Sequence, residues 1–410
     1  MISCKRWNPW VILQTRHPYM LILGVEVINV FVISSDMVVH VPKIPLLEYY
    51  VEKLGAEPGF FGDWEVPMRF TGSIDEHMAV RTSVGLFDVS HMGRVLLKGP
   101  DVVALAQYIY TKDISKVKPG FMSGPMLALN EWARVKDDEM LYKVSDEEWL
   151  LVPNALVREK MISYIRSVAS SRNYKVEVDD LTHKYSMLAL QGPRAVEVME
   201  SLGAKWAGDL KPLEFRLNEE VAGVKVFLVS RSGWTGEDGF EIWGEHGEIR
   251  RLIDLFIARG VKPAGLIARD TLRIEMGFAL GDHEYGEDPS KFPCALALRY
   301  GMGAITWSKK GFVGEEALRA CRREGLRWVR VGLKMGKEAG RLFPRTGSRV
   351  FVEDIDVGWV TSGCYSPVLN RGIAMAYIDT RYAVLGEEVL VDVHGRRLSA
   401  KIVDFPFIEK

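Results

Sequence analysis

The chain reads as an α+β protein in which antiparallel sheets carry helices and a β barrel or jelly roll follows. Three observations predict it. Strand-like alternation of polar and apolar residues recurs through the first three quarters. Capped helical stretches lie between those strands up to about residue 325. From about residue 326, short strands rich in Gly and Val dominate with almost no helix signal, which marks a separate β domain. At 410 residues the chain is too long for one ordinary domain, so two or three are expected.

The elements follow in order. Residues 18–35 are apolar apart from Glu26 and Asn29, and Lys5, Arg6 and Arg16 precede them. A run of about 18 residues is at the lower edge for a membrane span. A glutamate at mid-span costs about 2.5 kcal/mol or more. Three readings stand: a signal anchor, an extra buried strand or hairpin, or translated sequence before a working start at Met37. The last is preferred.

"IPLLEYYVEKLG" (44–55) reads as a short helix ended by Gly55. In "SIDEHMAVRTSVGL" (73–86), Ser73 followed by Glu76 is a capping box. "LFDVSHMGRVLLKG" alternates as a strand entering a hairpin, and "DVVALAQYIYT" (101–111) is an amphipathic helix. A helix over 154–170 follows. "PRAVEVMESLG" (193–203) is a helix with Pro193 at its start and Gly203 at its end. Further helices are predicted over 248–260, 265–277 and 313–325.

Hydrophobic residues make up 48% and charged residues 26%, a globular balance. The net charge of −1 and the lack of a basic block point away from nucleic acid. Four cysteines (Cys4, Cys294, Cys321, Cys364) show no CxxC spacing. Free thiols in a reducing compartment, and hence a cytoplasmic protein, are the simple reading. Gln occurs only at Gln14, Gln107 and Gln191, a hint of a heat-adapted source.

The first stretch with chemistry is "ARVKDDEMLYKVSDEEWLLV" (133–152). Neighbours on a strand point to opposite faces. The face Lys136, Asp138, Met140, Tyr142, Val144 is the more apolar, so it is placed inward, with Asp137 turned to water. An inward acid must be hydrogen-bonded, paired or working. Asp138 therefore either caps a loop end or does chemistry.

The second stretch is "RSGWTGEDGFEIWG" (231–244). Gly236 and Gly239 bracket a turn, and alternation sets Glu241 with Trp243 and Phe240 with Ile242. A carboxylate flanked by aromatics suits a flat nitrogen heterocycle, because a 2-amino-pyrimidinone edge offers two parallel N–H donors. Trp234 is placed to stack on such a ring. A surface hairpin with solvated acids is the other reading.

In "VKPAGLIARDTLRIEMG" (261–277), Asp270 or Thr271 is expected to cap the following helix. Arg269 then sits at a loop–helix junction, facing a cleft or held in a salt bridge with Glu275 or a neighbour. "GDHEYGEDP" (281–289) gathers acids with His283, but its spacing matches no EF-hand or zinc pair, so no metal is assigned.

Taken in order, "DEHMAVRTSVGLFDVSHMG" (75–93), "LALQGPRA" (188–195), "SGWTGEDGFE" (232–241), "PAGLIARDTLRIEMG" (263–277), "GFVGEEAL" (311–318) and "VTSGCYSP" (360–367) resemble the aminomethyltransferase (T-protein) family of the glycine cleavage system. The resemblance runs from about residue 43 to the C-terminus. It implies a three-lobed fold, two antiparallel α+β lobes and a C-terminal β barrel around a central folate hole. The expected division is an extension over 1–36, a folate-binding region of two interleaved lobes over 37–322, and a barrel over 323–410.

The implied reaction moves a methylene unit from an aminomethyl-lipoyl carrier protein (H-protein) to tetrahydrofolate and releases ammonia. A modified pterin in place of folate stays open. Asp138 matches the second Asp of the family's pair, expected to orient the folate amine and stabilise developing positive charge. Glu241 matches the pterin-binding Glu. Arg269 matches an Arg near the mouth where the lipoyl arm arrives. Tyr142 matches a pocket Tyr, and Trp234 stands where the family often has Tyr.

The departures are local. Ala133-Arg134 replaces Gly-Gly, Pro125 replaces a pocket Tyr, and "PCALALRYGMGAITW" lacks the family's Glu. They motivate an alternative, another pterin-dependent one-carbon transferase or demethylase on this scaffold. A non-catalytic folate-binding protein is the weakest reading, because Phe312 stands where that subgroup has its reactive Cys.

Overall fold

The computed structural model describes residues 41–299 and 303–409. The apolar stretch 18–35 and the start at Met37 lie outside them. Among the described residues no helix is long and apolar enough to cross a membrane.

Two antiparallel sheets and a barrel carry the fold. The five-stranded sheet runs, in spatial order, Phe121–Leu129, Val135–Lys143, Glu148–Val152, Val95–Lys98, Glu177–Asp180. The six-stranded sheet runs Phe215–Val221, Val224–Ser230, Gly239–Gly244, Ser186–Gln191, Gly85–Asp88, Lys262–Pro263, with only the last pair parallel. The barrel closes in the order Trp328–Met335, Arg371–Asp379, Ile355–Ser366, Arg349–Val352, Glu388–Val393, Arg396–Val403. Val331, Leu333, Val350, Ile378, Val391 and Ile402 fill its interior. Each such burial contributes roughly 1.5–3 kcal/mol.

The predicted helices form, with shifted ends. Leu47–Leu54 stops at Gly55, whose φ of 69° is left-handed. Val102–Ile109, Ala195–Ser201, His246–Ala258, Leu266–Met276 and Glu315–Glu324 occupy the remaining predicted stretches. The helix expected from 154 begins at Arg158, because Asn154 is engaged elsewhere.

Half of the predicted capping box forms. Ser73 makes no cap bond and Gly72 is the N-cap. Glu76 does reach back: its Oε1 accepts the N–H groups of Phe70, Thr71 and Gly72 at 2.8, 2.9 and 3.1 Å. Its Oε2 accepts Gly265 N–H at 2.9 Å, so one buried carboxylate ties two helix starts together.

The stretch 86–99 is not a hairpin. Gly85–Asp88 pairs with Ser186–Gln191 in the six-stranded sheet, while Val95–Lys98 lies between two strands of the five-stranded sheet. The chain crosses between sheets at Val89–Arg94. Alternation gives strand residues their faces but does not say which sheet takes them.

Candidate active site

The acidic strand Val135–Lys143 corrects the expected faces. Asp137 does not face water: it is fully buried, with Glu139 and Leu141 on the same side. Leu141 packs into a core shared with the helices Val102–Ile109 and Arg158–Ser171. The opposite face, Lys136, Asp138, Met140 and Tyr142, lines a cavity. Both faces of the strand are thus covered, so contrast in polarity could not identify the outside.

The carboxylate of Asp137 accepts three donors. Asn154 gives its main-chain N–H at 2.9 Å and its amide at 2.7 Å, and the N–H of Asp138 lies at 3.0 Å. Burial, then the charges of Glu139 and Asp138, still push this acid well above its ordinary value. Glu139 accepts the hydroxyl of Tyr110 at Oε2, has no partner at Oε1, and is pushed up to about 7, chiefly by burial.

Asp138 is half-buried at the cavity. Its Oδ1 accepts the Asn154 amide at 2.9 Å and the hydroxyl of Tyr285. Tyr285 comes from the acidic loop considered for metal. Among the described residues no group of three His, Cys, Asp or Glu side chains could hold an ion. Instead Glu284 anchors the loop. It pairs with Arg273 at 2.9 Å, accepts Ser362 Oγ of the barrel at 2.6 Å, and its main-chain oxygen accepts the Tyr377 hydroxyl at 2.6 Å.

Glu241 faces the same cavity from the strand Gly239–Gly244, opposite Ser230 and Ala189. Ser232 donates to its Oε2 at 2.6 Å. Tyr142 lies edge-on to Trp243 and Phe215 at 5.3 and 5.4 Å, with its hydroxyl beside Glu241 and no well-formed hydrogen bond. Burial, then the Glu241 charge, hold that phenol well above the usual range.

The turn before this strand is clamped by two arginines, with Glu237 largely shielded and Asp238 exposed. Arg81 donates to Thr235 O at 2.7 Å and to Glu237 at 2.8 Å, and Arg231 grips Asp238 at 2.9 and 2.5 Å. Gly236 has φ 77°, and a Cβ there would meet Met276 at 2.5 Å, so glycine is required.

Arg269 is not at a loop–helix junction. It lies inside the helix Leu266–Met276, whose N-cap is Gly265 and not Asp270 or Thr271. Asp270 accepts Arg273 Nε at 2.8 Å and Thr271 donates to Ala268 O at 2.9 Å. No salt bridge joins Arg269 to Glu275, which is taken by Arg81 at 2.9 Å and His77 at 3.1 Å. The Arg269 guanidinium lies 5.3 Å from the Trp234 ring, and its buried Nη1 has no hydrogen-bond partner. Burial lowers its pKa to about 10, with Glu241 opposing.

Cys294 and Cys321 form a disulfide, so the free-thiol argument for a reducing compartment lapses. Their 27-residue separation carries no recognisable spacing. Cys364 is a buried free thiol, as expected.

One cavity of about 1130 Å³ is lined by Asp138, Tyr142, Trp234, Glu241 and Arg269. Pro125 lines it too, and Ala133 adopts a left-handed φ of 56° where the resembled family has glycine. Asn154, Tyr285 and His91 also line it, beyond the residues expected from the sequence. His91 carried a signal, a lone imidazole in "DVSHMG" among apolar strand residues. Tyr285 and Asn154 carried none.

Residues 47–302 match the family described as GCVT N-terminal domain, and residues 329–409 match the glycine cleavage T-protein C-terminal barrel domain. The chain is 57% identical over 363 residues to the probable aminomethyltransferase of Aeropyrum pernix, covering 88% of this chain and 97% of that one. It is 38% identical over 372 residues to the aminomethyltransferase of Lysinibacillus sphaericus, covering 90% and 98%. The crystal structure of glycine cleavage system aminomethyltransferase T from Bartonella henselae superposes with a TM-score of 0.81 at 30% identity, covering 90% of this chain and 99% of that one.

Proposed function

The chain belongs to the glycine cleavage T-protein family and is an aminomethyltransferase, and we propose how its cavity performs the transfer. The one-carbon acceptor is tetrahydrofolate, and the aminomethyl group arrives on the lipoyl arm of a carrier protein. The observation that carries this reading is that Asp138 and Glu241 line one cavity.

The residues suit a reduced pteridine. Glu241, aligned by Ser232, can accept two parallel N–H donors from the ring's amino edge. Trp234 offers an aromatic face in the same cavity. Tyr142 Oη is a buried polar atom without a well-formed partner, which the ring would satisfy. The folate supplies the nitrogens that take up the methylene unit.

Asp138 orients the attacking amine and faces the positive charge that develops at the methylene carbon. Asn154 and Tyr285 fix its carboxylate in advance, so little reorganisation is needed. A half-buried carboxylate acts on that charge more strongly than one in water. Arg269 faces the arriving arm.

The test is ammonia release from an aminomethylated, lipoylated carrier with and without tetrahydrofolate. Asp138→Ala is expected to lower turnover by roughly 10²–10⁴. Full turnover in that variant would remove the role given to Asp138.

A further inference from the structure

His91 sits where the chain crosses from one sheet to the other, and that crossing is locked on both sides of it. Arg94, fully buried, donates to Ser90 O at 3.1 Å and to Met92 O at 2.6 Å, and also bonds Thr182 O. Asp88 accepts Ser90 N–H at 2.8 Å, and Gly93 N–H donates to Pro153 O at 2.9 Å. Such support keeps one side chain in one place.

The imidazole held there lines the cavity yet is only 3% exposed, and its Nδ1 has no hydrogen-bond partner. It meets Phe61 edge-on at 5.3 Å. Arg269, close enough for its charge to act on His91, brings the second unpartnered nitrogen, Nη1, to the same cavity. One guanidinium nitrogen and one imidazole nitrogen, both buried and without a protein partner, suit a ligand atom rich in electrons.

We infer that His91 and Arg269 form the subsite that receives the leaving lipoyl sulfur, the guanidinium facing the developing thiolate and the imidazole N–H donating to it. This rests on the aminomethyl-lipoyl reading above. The surroundings favour sulfur over an oxyanion: Phe61, Phe87 and Trp234 present ring faces and edges, which a soft, polarisable atom tolerates.

The C–S and C–N bonds to the methylene carbon break, and two C–N bonds to the pterin form. The C–S electron pair stays on sulfur. The two N–H protons that the pterin loses end on sulfur and on ammonia, with no redox change. His91 therefore passes no net proton. Burial, then the charges of Arg269 and Arg94, lower its pKa to about 3, so it is neutral and acts as a hydrogen-bond donor.

The test uses the full chain and a monothiol analogue of the arm, 8-mercaptooctanamide, labelled with carbon-13 at the carbon bearing sulfur. The labelled shift is followed against pH, and tetrahydrofolate affinity is measured in parallel by calorimetry. The wild-type complex is expected to hold a thiol that ionises about one pH unit or more below the free one. His91→Phe should shrink that shift by half or more, Arg269 supplying the remainder, and leave tetrahydrofolate affinity within about twofold. His91→Gln, which keeps a donor, should retain more of the shift and replaces His91→Phe if the latter does not fold.

The inference is overturned if wild type binds no analogue, if the bound thiol ionises like the free one, or if His91→Phe leaves the shift in place. A loss of tetrahydrofolate affinity with the thiol shift intact would place the imidazole at the pterin and overturn it too. Absence of any tetrahydrofolate binding in wild type would instead sink the folate reading, and the thiol arm would still be read.

Discussion

Tyr285 donates its hydroxyl hydrogen to Oδ1 of Asp138 from 147 positions further along the chain. The loop that brings it is fixed by Glu284 to Arg273 in a helix and to Ser362 in the barrel. The barrel thereby sets the position of a group at the cavity it does not itself supply. Removing the hydroxyl in Tyr285→Phe leaves that anchor intact. A hydrogen bond to a charged group is worth about 1.5–3 kcal/mol, so turnover should fall roughly 10- to 100-fold. The acidic limb of the pH–rate profile should move to higher pH, because the carboxylate loses a donor that favours its charged form. Steady-state rates across pH check this, and an unmoved limb would rule out a positioning role.

Glu241 is the second acid proposed to hold the ligand, lining the same cavity as Asp138. Glu241→Gln keeps the shape but can accept only one of two parallel N–H donors. Tetrahydrofolate affinity should drop about 10- to 100-fold, with a smaller effect on turnover at saturation. Calorimetric titration decides; an unchanged dissociation constant means that the amino edge binds elsewhere.

Much of this was readable from local rules, and the failures share one cause. Gly55 ends its helix because a left-handed φ is a property of that residue alone. The alternation that put Glu241 with Trp243 needed only the strand's own period. Asp137 was misplaced because both sides of its strand are covered, one by helices and one by the cavity wall. The crossing at His91 passed for a hairpin because the partner strands lie far along the chain. Asn154 and Tyr285 become site residues only through bonds to residues 16 and 147 positions away.

The Cys294–Cys321 disulfide joins the segment after the Tyr285 loop to the helix Glu315–Glu324. With a separation of 27, loop-closure entropy gives about 3–4 kcal/mol of stabilisation. Cys321→Ser should melt lower than wild type without reductant. Adding reductant should lower wild type to meet it and leave the variant unchanged. Coincident melts in the absence of reductant would mean that the bond contributes nothing to stability.

Asp137 and Glu139 make a pH dependence of unusual sign. Both are held above their ordinary values in the fold, Glu139 from 4.5 to about 7. The folded state therefore binds more protons than the unfolded one between those values. Since stability rises with pH only where the unfolded state binds more protons, the contribution of Glu139 must fall as pH climbs from about 4.5 to about 7, against the opposite contribution of buried His91. Glu139 alone accounts for roughly 3 kcal/mol at most across that window. Glu139→Gln cannot titrate, so its denaturant stability should lack this decline, and the difference from wild type should change steadily across the window and level off beyond it. A difference that stays constant from pH 4.5 to 7 would mean that Glu139 is not protonated in the fold.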